Sequence, residues 1–229
     1  MLFSENELNN IKREMGKLKE KVVLKLFTDF KTKDKKKVRT CMACEGVYSL
    51  LKTLEENSNG KLEIKEFSTE ENEEEAKKYN VMRIPAILFL DNEGKEIIRY
   101  SAPPMGAELA PFINSIQYFS GVRPYYADQI ITHLKKIERS KVKMFISQTC
   151  SYCPQTVPVL NLFAIVSNGK ISAEIIDVDA NPDIAMKYQV QGVPHTVVNE
   201  KEHIYGMFNP QDFLDRLTKG QRDFGGMYA

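Results

Sequence analysis

The sequence lacks an excess of charge of either sign and lacks any long hydrophobic run. Its 229 residues include 32 lysines and arginines against 31 aspartates and glutamates, for a formal net charge of +1. This balance argues against a chain-wide surface for nucleic acid or for an anionic membrane. The longest apolar stretch, Ile84–Leu90, is far too short to span a bilayer. We therefore expect no nucleic-acid partner and no membrane partner.

The amino-terminal segment also lacks the features of a secretory signal. The segment Met1–Glu7 has neither a basic n-region nor an apolar h-region. With 42% hydrophobic and 28% charged residues, the chain has enough apolar material to fold. We expect a globular, cytoplasmic protein whose length suits two small domains.

Cysteine is scarce, and its placement is informative. The four cysteines form two C-x-x-C pairs far apart in the chain, Cys41 with Cys44 and Cys150 with Cys153. A secreted disulfide scaffold would be shorter and richer in cysteine. The two pairs therefore predict redox or metal chemistry.

An internal repeat determines the predicted domain organisation. The segment Ala76–Pro85 aligns without a gap with Ala185–Pro194, at an offset of 109 residues (185 − 76). The two cysteine pairs have the same offset (150 − 41). Two independent landmarks with one offset indicate a tandem duplication. We expect a boundary near Ser120 and two units, residues 1–120 and 121–229.

Each unit repeats one predicted order of elements. An amphipathic helix, capped in the first unit by Ser4 and Glu7, leads into a strand, and a C-x-x-C, a second helix, a second strand and a short helix follow. A proline then precedes a closing hairpin and helix. This alternation predicts an α/β protein of two tandem units, each a central mixed sheet flanked by helices. Apart from the last strand of each unit, the predicted strands are Val22–Phe27, Leu62–Phe67, Ala86–Leu90, Val142–Ile146, Ile171–Val178 and Thr196–Val198.

The first unit has nine extra residues before its cysteine pair. Phe27 stands 14 residues before Cys41, whereas Phe145 stands five before Cys150. The insertion lies within residues 29–40 and contains five lysines and one arginine. We expect a solvated, mobile loop here, with a docking site for a partner as the alternative.

A C-x-x-C that opens a helix after a strand can cycle between a dithiol and a disulfide. The helix N-terminus favours a thiolate at the first cysteine. The second cysteine then attacks the mixed disulfide that the first has formed. We expect Cys150 to be the nucleophile and Cys153 the resolving thiol, with Cys41 and Cys44 as a second catalytic pair.

Structural zinc is the alternative interpretation of two C-x-x-C pairs, because together they hold four thiolates. However, 105 residues separate the pairs (150 − 44 − 1), far more than in compact zinc ribbons. In a duplicated fold each pair also belongs to its own unit. We expect no metal, and no cofactor other than the redox-active disulfides.

The second unit resembles the thioredoxin family. The resemblance rests on Cys-Ser-Tyr-Cys-Pro at residues 150–154, Pro158, Asp-Ala-Asn-Pro at 179–182 and Gly-Val-Pro at 192–194. Two such glutaredoxin-like units, each with its own C-x-x-C, are similar to the protein disulfide oxidoreductases of thermophilic archaea and bacteria. The abundant lysine and glutamate fit a thermophile.

That resemblance implies exchange chemistry on protein substrates, in which disulfides are reduced, formed or isomerised. It implies a thioredoxin-reductase-like flavoprotein as the partner. It also implies that Pro85 and Pro194 are cis-prolines that face the disulfides. Ile84 and Val193 would then present backbone N–H and C=O groups to an extended substrate chain.

The chain departs from thioredoxins in two respects. It has no tryptophan, and threonine precedes the first cysteine of each pair. The buried acid that assists the resolving cysteine aligns with Met144 in the second unit and Leu26 in the first. Glu174 and Asp177 are candidates for the missing acid, although we favour solvated positions for both; proton transfer through water is the alternative.

The two pairs are predicted to be unequal. Cys44 is followed by Glu45 rather than by proline. A carboxylate there would oppose a nearby thiolate, whereas Arg39 would favour it. His195 could lie near Cys150 and stabilise its thiolate. We therefore expect the second pair to carry most of the activity.

Two other functions remain open. The chain is similar in layout to the N-terminal domain of the flavoprotein subunit of alkyl hydroperoxide reductase, an electron carrier to a peroxiredoxin. In that arrangement only the second unit keeps its C-x-x-C, so Cys41 and Cys44 favour an oxidoreductase. A zinc-binding structural protein is the third possibility.

Overall fold

The structure is a computed structural model and describes residues 3–167 and 169–218. The strands are β1 (Val22–Thr28), β2 (Lys31–Lys33), β3 (Lys36–Val38), β4 (Leu62–Ser68), β5 (Ala86–Leu90), β6 (Glu96–Ser101), β7 (Ser140–Ile146), β8 (Ile171–Asp177), β9 (His195–Val198) and β10 (Glu202–Tyr205). The helices are α1 (Glu5–Met15), α2 (Cys44–Glu56), α3 (Glu73–Lys78), α4 (Leu109–Phe119), α5 (Ala127–Thr132), α6 (Cys153–Val166), α7 (Pro182–Lys187) and α8 (Pro210–Leu217), with a 3-10 helix at Gly106–Glu108.

Eight strands form one mixed sheet in the order β10-β9-β7-β8-β6-β5-β1-β4. Each half contributes the same arrangement, because β1 and β7 each pair with one parallel and one antiparallel strand. The halves join where β6 pairs with β8 in parallel, from Ile98 opposite Ala173 to Ser101 opposite Ile176. The predicted mixed α/β architecture is confirmed, while the division at residue 120 stays a prediction.

This topology brings the two cysteine pairs to one edge of the sheet. Strand β1 is antiparallel to β5, which is antiparallel to β6, and β6, β8 and β7 are parallel. Strands β1 and β7 therefore run in the same direction and end at the same edge. Because β5 and β9 run the opposite way, they begin at that edge.

Helix α6 is the most deeply buried helix of those described. Eleven of its 14 residues are buried, including Pro158 within the helix. The reason is its position, since it packs against β6 and β8 of the sheet and also against α4 of the first half. Helix α2 instead buries a single face, formed by Cys44, Val47, Leu50, Leu51 and Leu54.

The lysine-rich insertion is a β-hairpin rather than an irregular loop. Its strands are exposed as predicted, and its mobility stays a prediction. Strands β2 and β3 pair antiparallel, from Lys31 opposite Val38 to Lys33 opposite Lys36. Asp34 and Lys35 form the turn with φ values of 47° and 62°. Positive φ at two adjacent turn residues is typical of tight hairpins. The pattern was hidden because both strands are exposed and carry no apolar alternation.

At the start of the second half, apolar residues at helical spacing from Ala127 to Ile137 predict one helix, but the helix in the structure is shorter. Helix α5 ends at Thr132. Residues 133–136 form turns, and the Lys170 ammonium donates hydrogen bonds to the carbonyl oxygens of Leu134 and Ile137 in and after them. Among the described residues, no helix is both long and apolar enough to cross a membrane.

Candidate active site

Both C-x-x-C pairs are disulfides, Cys41 with Cys44 and Cys150 with Cys153. We expected the first cysteine of each pair to begin the helix, but α2 begins at Cys44 and α6 at Cys153. The first cysteines lie in the preceding turn. The helix end still acts on the sulfur, because the Cys153 N–H donates a hydrogen bond of 3.0 Å to the Cys150 Sγ.

The first and second cysteines differ in exposure. Cys44 and Cys153 are 0% exposed, whereas Cys150 retains 9% and Cys41 is half-buried. The residues inside the pairs, Met42 and Tyr152, are among the exposed large side chains. A partner thiol or disulfide can thus approach the first cysteine of each pair, while the second is reached only from within.

The two prolines of the repeat both follow cis peptide bonds, Ile84–Pro85 and Val193–Pro194. At the second pair the Val193 carbonyl oxygen lies 3.6 Å from the Cys150 Sγ. Pro85 directly precedes β5, and β5 pairs with β1 through Ala86 opposite Phe27. Each proline therefore stands at the edge of the sheet where the cysteine pair of its half is found. Their roles in substrate binding stay a prediction.

Glu108 is a candidate acid that the sequence did not reveal. Its side chain is 0% exposed, and neither carboxylate oxygen has a hydrogen-bond partner within the described part of the chain. Burial, together with the negative charge of Asp177, raises the pKa of Glu108 to about 7. A carboxyl group with this pKa can accept and release a proton at neutral pH.

Glu108 belongs to the first half, but the 3-10 helix that carries it contacts the second half. The 3-10 helix that carries it packs against α6, the helix that begins at Cys153. The neighbouring Ala107 N–H donates a 3.3 Å hydrogen bond to the carbonyl of Gln148, two residues before Cys150. The sequence repeat could not reveal this acid. The repeat relates equivalent positions in the two units, whereas Glu108 belongs to the first half and contacts the second.

Neither acid that we considered on β8 is fully solvated. Asp177 is 1% exposed and accepts hydrogen bonds from the Gln148 side chain at 3.2 Å and the Asp179 N–H at 2.8 Å. Glu174 is half-buried and accepts a 3.1 Å hydrogen bond from the Ser101 hydroxyl. Both therefore have structural partners at the junction of the halves.

The first pair lies beside Asp29, at the end of β1. A carboxylate oxygen of Asp29 and the sulfurs of Cys41 and Cys44 all lie within 4.8 Å of one another. The carboxylate accepts hydrogen bonds from the hydroxyl and N–H of Thr40 and, at 2.7 Å, from the Cys41 N–H. Burial alone would raise the pKa of Asp29, but these hydrogen bonds outweigh it and hold the pKa below its usual value.

Arg39 anchors the insertion hairpin to the first half. Its Nε and Nη2 atoms each donate to Glu66 at 2.8 Å, and the two side chains are only 4% and 3% exposed. Its Nη1 donates to Glu45 at 2.8 Å. The guanidinium also lies 3.6 Å from the ring centroid of Tyr48. Two carboxylates therefore compensate the cation that we expected to favour a Cys41 thiolate.

His195 forms a pair with His203. Its Nε2 lies 2.9 Å from the Nδ1 of His203, and its ring lies 4.8 Å from that of Tyr205. Burial and the neighbouring His203 lower the pKa of His195. A neutral imidazole provides no positive charge for a thiolate. Its predicted contact with Cys150 stays a prediction.

The second half of the chain resembles thioredoxin domains. Residues 140–219 match the family model described as Thioredoxin domain. The F component of the alkyl hydroperoxide reductase of Staphylococcus aureus is 31% identical over 121 residues, which cover 52% of this chain and 23% of that relative. The chain therefore spans about a quarter of the length of this relative.

Two solved structures resemble nearly the whole chain. A protein disulfide oxidoreductase from Aeropyrum pernix K1 superposes with a TM-score of 0.79 and 25% identity, with 97% of each chain covered. AhpF, a component of the alkylhydroperoxide reductase of Enterococcus faecalis, superposes with a TM-score of 0.80 and 20% identity, covering 95% of this chain and 100% of that one. The chain thus has the fold of proteins built from two thioredoxin-like units, and it carries a C-x-x-C disulfide in each half.

Proposed function

We propose that this protein is a thiol–disulfide oxidoreductase that acts on disulfides and dithiols of protein substrates. The observation that carries the proposal is the second pair, where a barely exposed Cys150 Sγ meets a helix N-terminal N–H and the carbonyl preceding a cis-proline. Whether reduction, formation or isomerisation of disulfides dominates depends on the reduction potential of the pair. A cytoplasmic location belongs to this proposal.

Reduction of a substrate starts from the dithiol form of the second pair. The Cys150 thiolate attacks one sulfur of the substrate disulfide, which forms a mixed disulfide and releases the other substrate sulfur as a thiolate. The Cys153 N–H at 3.0 Å stabilises the negative charge on Cys150 before the attack. The backbone of Val193 beside Cys150 is available to bind an extended substrate segment.

Resolution needs the buried Cys153 thiol to lose its proton. Glu108, whose pKa of about 7 suits proton transfer at neutral pH, accepts that proton from the inner side of the site. The Cys153 thiolate then attacks the Cys150 Sγ, which closes the intramolecular disulfide and releases the second substrate thiolate. Two electrons have moved from the protein to the substrate, and the reverse sequence forms a disulfide.

A reductant must return two electrons to the disulfide before the next cycle. The resemblance to alkyl hydroperoxide reductase components supports a flavoprotein of the thioredoxin-reductase type as the donor. The same resemblance favours a second candidate function, in which the protein carries electrons to a peroxiredoxin. We expect no metal and no cofactor beyond the two disulfides.

Paired replacement of each C-x-x-C tests the proposed function. Cys150→Ser/Cys153→Ser should lower dithiothreitol-coupled insulin reduction by at least about tenfold, whereas Cys41→Ser/Cys44→Ser should remain near normal. Cys153→Ser alone should trap mixed disulfides with substrate, and Cys150→Ser should not, because only the former keeps the attacking thiol. Equal trapping by both variants would show that the assigned roles are wrong. Full activity in a variant that lacks both cysteine pairs would refute the function.

A further inference from the structure

The two halves place different residues at one equivalent position beside the cysteines. Asp29 stands two residues after Phe27 in the first half, and Ser147 stands two residues after Phe145 in the second. The Ser147 hydroxyl donates to Asp179 at 2.9 Å and lies 3.2 Å from the hydroxyl oxygen of Thr149. In the described ranges, no carboxylate oxygen lies within 4.8 Å of both sulfurs of the second pair, as Asp29 does in the first.

The donors that hold the Asp29 carboxylate are neutral. They are the hydroxyl and N–H of Thr40 and the N–H of Cys41. No cation in the described part of the chain forms an ion pair with Asp29. Lys31, whose pKa is raised by Glu70 and to a smaller extent by the charge of Asp29, pairs with Glu70 at 2.9 Å. The negative charge therefore remains close to the sulfurs without a counterion.

Several other charged groups of the first half form ion pairs. Arg39 pairs with Glu66 and Glu45, and Lys37 pairs with Glu66 at 3.2 Å. Near the cis-proline loop, Arg83 pairs with Asp183 of the second half. These ion pairs lie on or beside β3, α2, β4 and the cis-proline loop. Of the acidic and histidine side chains in the described residues, Asp29 alone has a ligand atom within 4.8 Å of both sulfurs.

We propose that Asp29 opposes thiolate formation in the first pair and makes Cys41 a slower nucleophile than Cys150. A thiolate on Cys41 or Cys44 would place a second negative charge within 4.8 Å of the carboxylate. The carboxylate can also accept an S–H hydrogen bond, which favours the protonated thiol. Asp29 is thus a positioning residue for the proposed exchange reaction, and this inference rests on that function.

Asp29 also affects how readily the first pair gives up electrons. Stabilisation of the thiolate form is what makes a dithiol pair oxidising, because it favours the reduced state. Asp29 withdraws that stabilisation from the first pair. The dithiol form of the first pair is therefore the stronger reductant, and it gives up two electrons more readily than the dithiol form of the second pair.

The test measures thiolate formation directly with a small alkylating agent. In a Cys150→Ser/Cys153→Ser background, the first pair is reduced with dithiothreitol, and the rate of iodoacetamide alkylation of Cys41 is followed by mass spectrometry from about pH 5 to about pH 10. Replacement Asp29→Asn, which retains an oxygen acceptor for the Cys41 N–H, should lower the midpoint of the profile by about one pH unit. Below both midpoints the thiolate fraction rises about tenfold, and alkylation becomes about three- to fourfold faster, because thiolate nucleophilicity falls with pKa.

The second half supplies the matched control. In a Cys41→Ser/Cys44→Ser background, Ser147→Asp should raise the alkylation midpoint of Cys150, and Asp29→Ser should lower that of Cys41 as Asp29→Asn does. An unchanged or higher midpoint in Asp29→Asn would overturn the proposal. Alkylation of the fully ionised thiol should be only about threefold slower in Asp29→Asn, because thiolate nucleophilicity falls with pKa. A much larger loss would overturn the proposal, since that result marks a structural role.

The alkylation assay uses no protein substrate, so it is independent of the proposed function. A shifted midpoint without insulin reduction would refute only the oxidoreductase proposal. Insulin reduction without a shifted midpoint would refute only the role of Asp29. Equilibration of each pair with glutathione gives the second readout, where Asp29→Asn should raise the potential of the first pair by up to about 30 mV for each tenfold change in the equilibrium constant.

Discussion

The two halves share a chain path but surround their cysteines with different charges. In the first half, Asp29 lies beside the disulfide, and the Arg39–Glu66 ion pair anchors the insertion hairpin. In the second half, the Cys153 N–H donates a hydrogen bond to the Cys150 Sγ, and the buried Glu108 belongs to the other half. Duplication has thus preserved the backbone that presents each pair. The reactivity of each pair is set by residues that the repeat does not share.

The largest expected effect concerns the ion pair that only the first half contains. Replacement Arg39→Ala leaves the Glu66 carboxylate, with its side chain 3% exposed, without its main partner. Removal of one partner of a buried ion pair typically costs about 3–5 kcal/mol. Guanidinium denaturation of the oxidised protein should show a loss of that size, and Cys150 alkylation in the folded, reduced protein should be unchanged.

Glu45 provides the control for Arg39, because it bonds the same guanidinium from the surface with its side chain 63% exposed. Glu45→Ala should therefore cost less than about 1 kcal/mol. If both variants lose the same stability, the hairpin is not held by the buried pair. A change at Cys150 in Arg39→Ala would break the separation of the two sites.

A pH effect should distinguish Glu108 from Asp29 and Glu66, whose hydrogen bonds hold the pKa of each carboxyl below its usual value. The folded pKa of Glu108, about 7, exceeds the ordinary value of 4.5, so the folded state binds the proton more tightly. The resulting stability is fully present below pH 4.5 and is lost as the pH rises through about 7. The difference amounts to about 3 kcal/mol in the free energy of unfolding.

The measurement is the free energy of unfolding of the wild type minus that of Glu108→Gln, at about pH 5 and at about pH 8. The subtraction cancels the other titrating groups, and the wild type should lose stability relative to the variant across this range. In Glu108→Gln, the mixed disulfide with substrate should also be resolved more slowly at the second pair and at an unchanged rate at the first. A constant stability difference would show that Glu108 is not held in its neutral form.

The smallest expected effect concerns the ion pair that connects the halves at the surface. Arg83 and Asp183 form a salt bridge with side chains 38% and 64% exposed. Exposed ion pairs contribute at most about 1 kcal/mol, so Arg83→Ala should change the unfolding free energy by less than that. The pairing of β6 with β8 remains to join the halves. A loss several times larger would mean that the surface contact, rather than the shared sheet, holds them together.

The amino-acid pattern was sufficient for the order of the elements that the two halves share, but not for the hairpin of β2 and β3. Local periodicity predicted the strands to within about two residues, as for Val22–Phe27 against the observed Val22–Thr28. It also predicted the reciprocal cap of α1, where the Ser4 side chain and Glu7 bond each other's backbone N–H. Such features depend on neighbours in the sequence, so the sequence contains the information. The predicted helix starts, Cys41 and Cys150, were three residues too early, since the helices begin at Cys44 and Cys153. Helix boundaries depend on cap geometry.

The repeat, both cysteine pairs, the repeated prolines and the mixed α/β architecture could all be predicted from the amino-acid pattern. Tertiary structure alone decided which acids stand near which sulfurs. Glu108 lies in a segment outside the aligned landmarks, and it is desolvated only where the 3-10 helix packs on α6. The hairpin is likewise stabilised by Arg39 and Glu66, which are 27 residues apart in the chain. The electrostatics of a buried site depend on distances between residues remote in sequence, and only folding sets those distances.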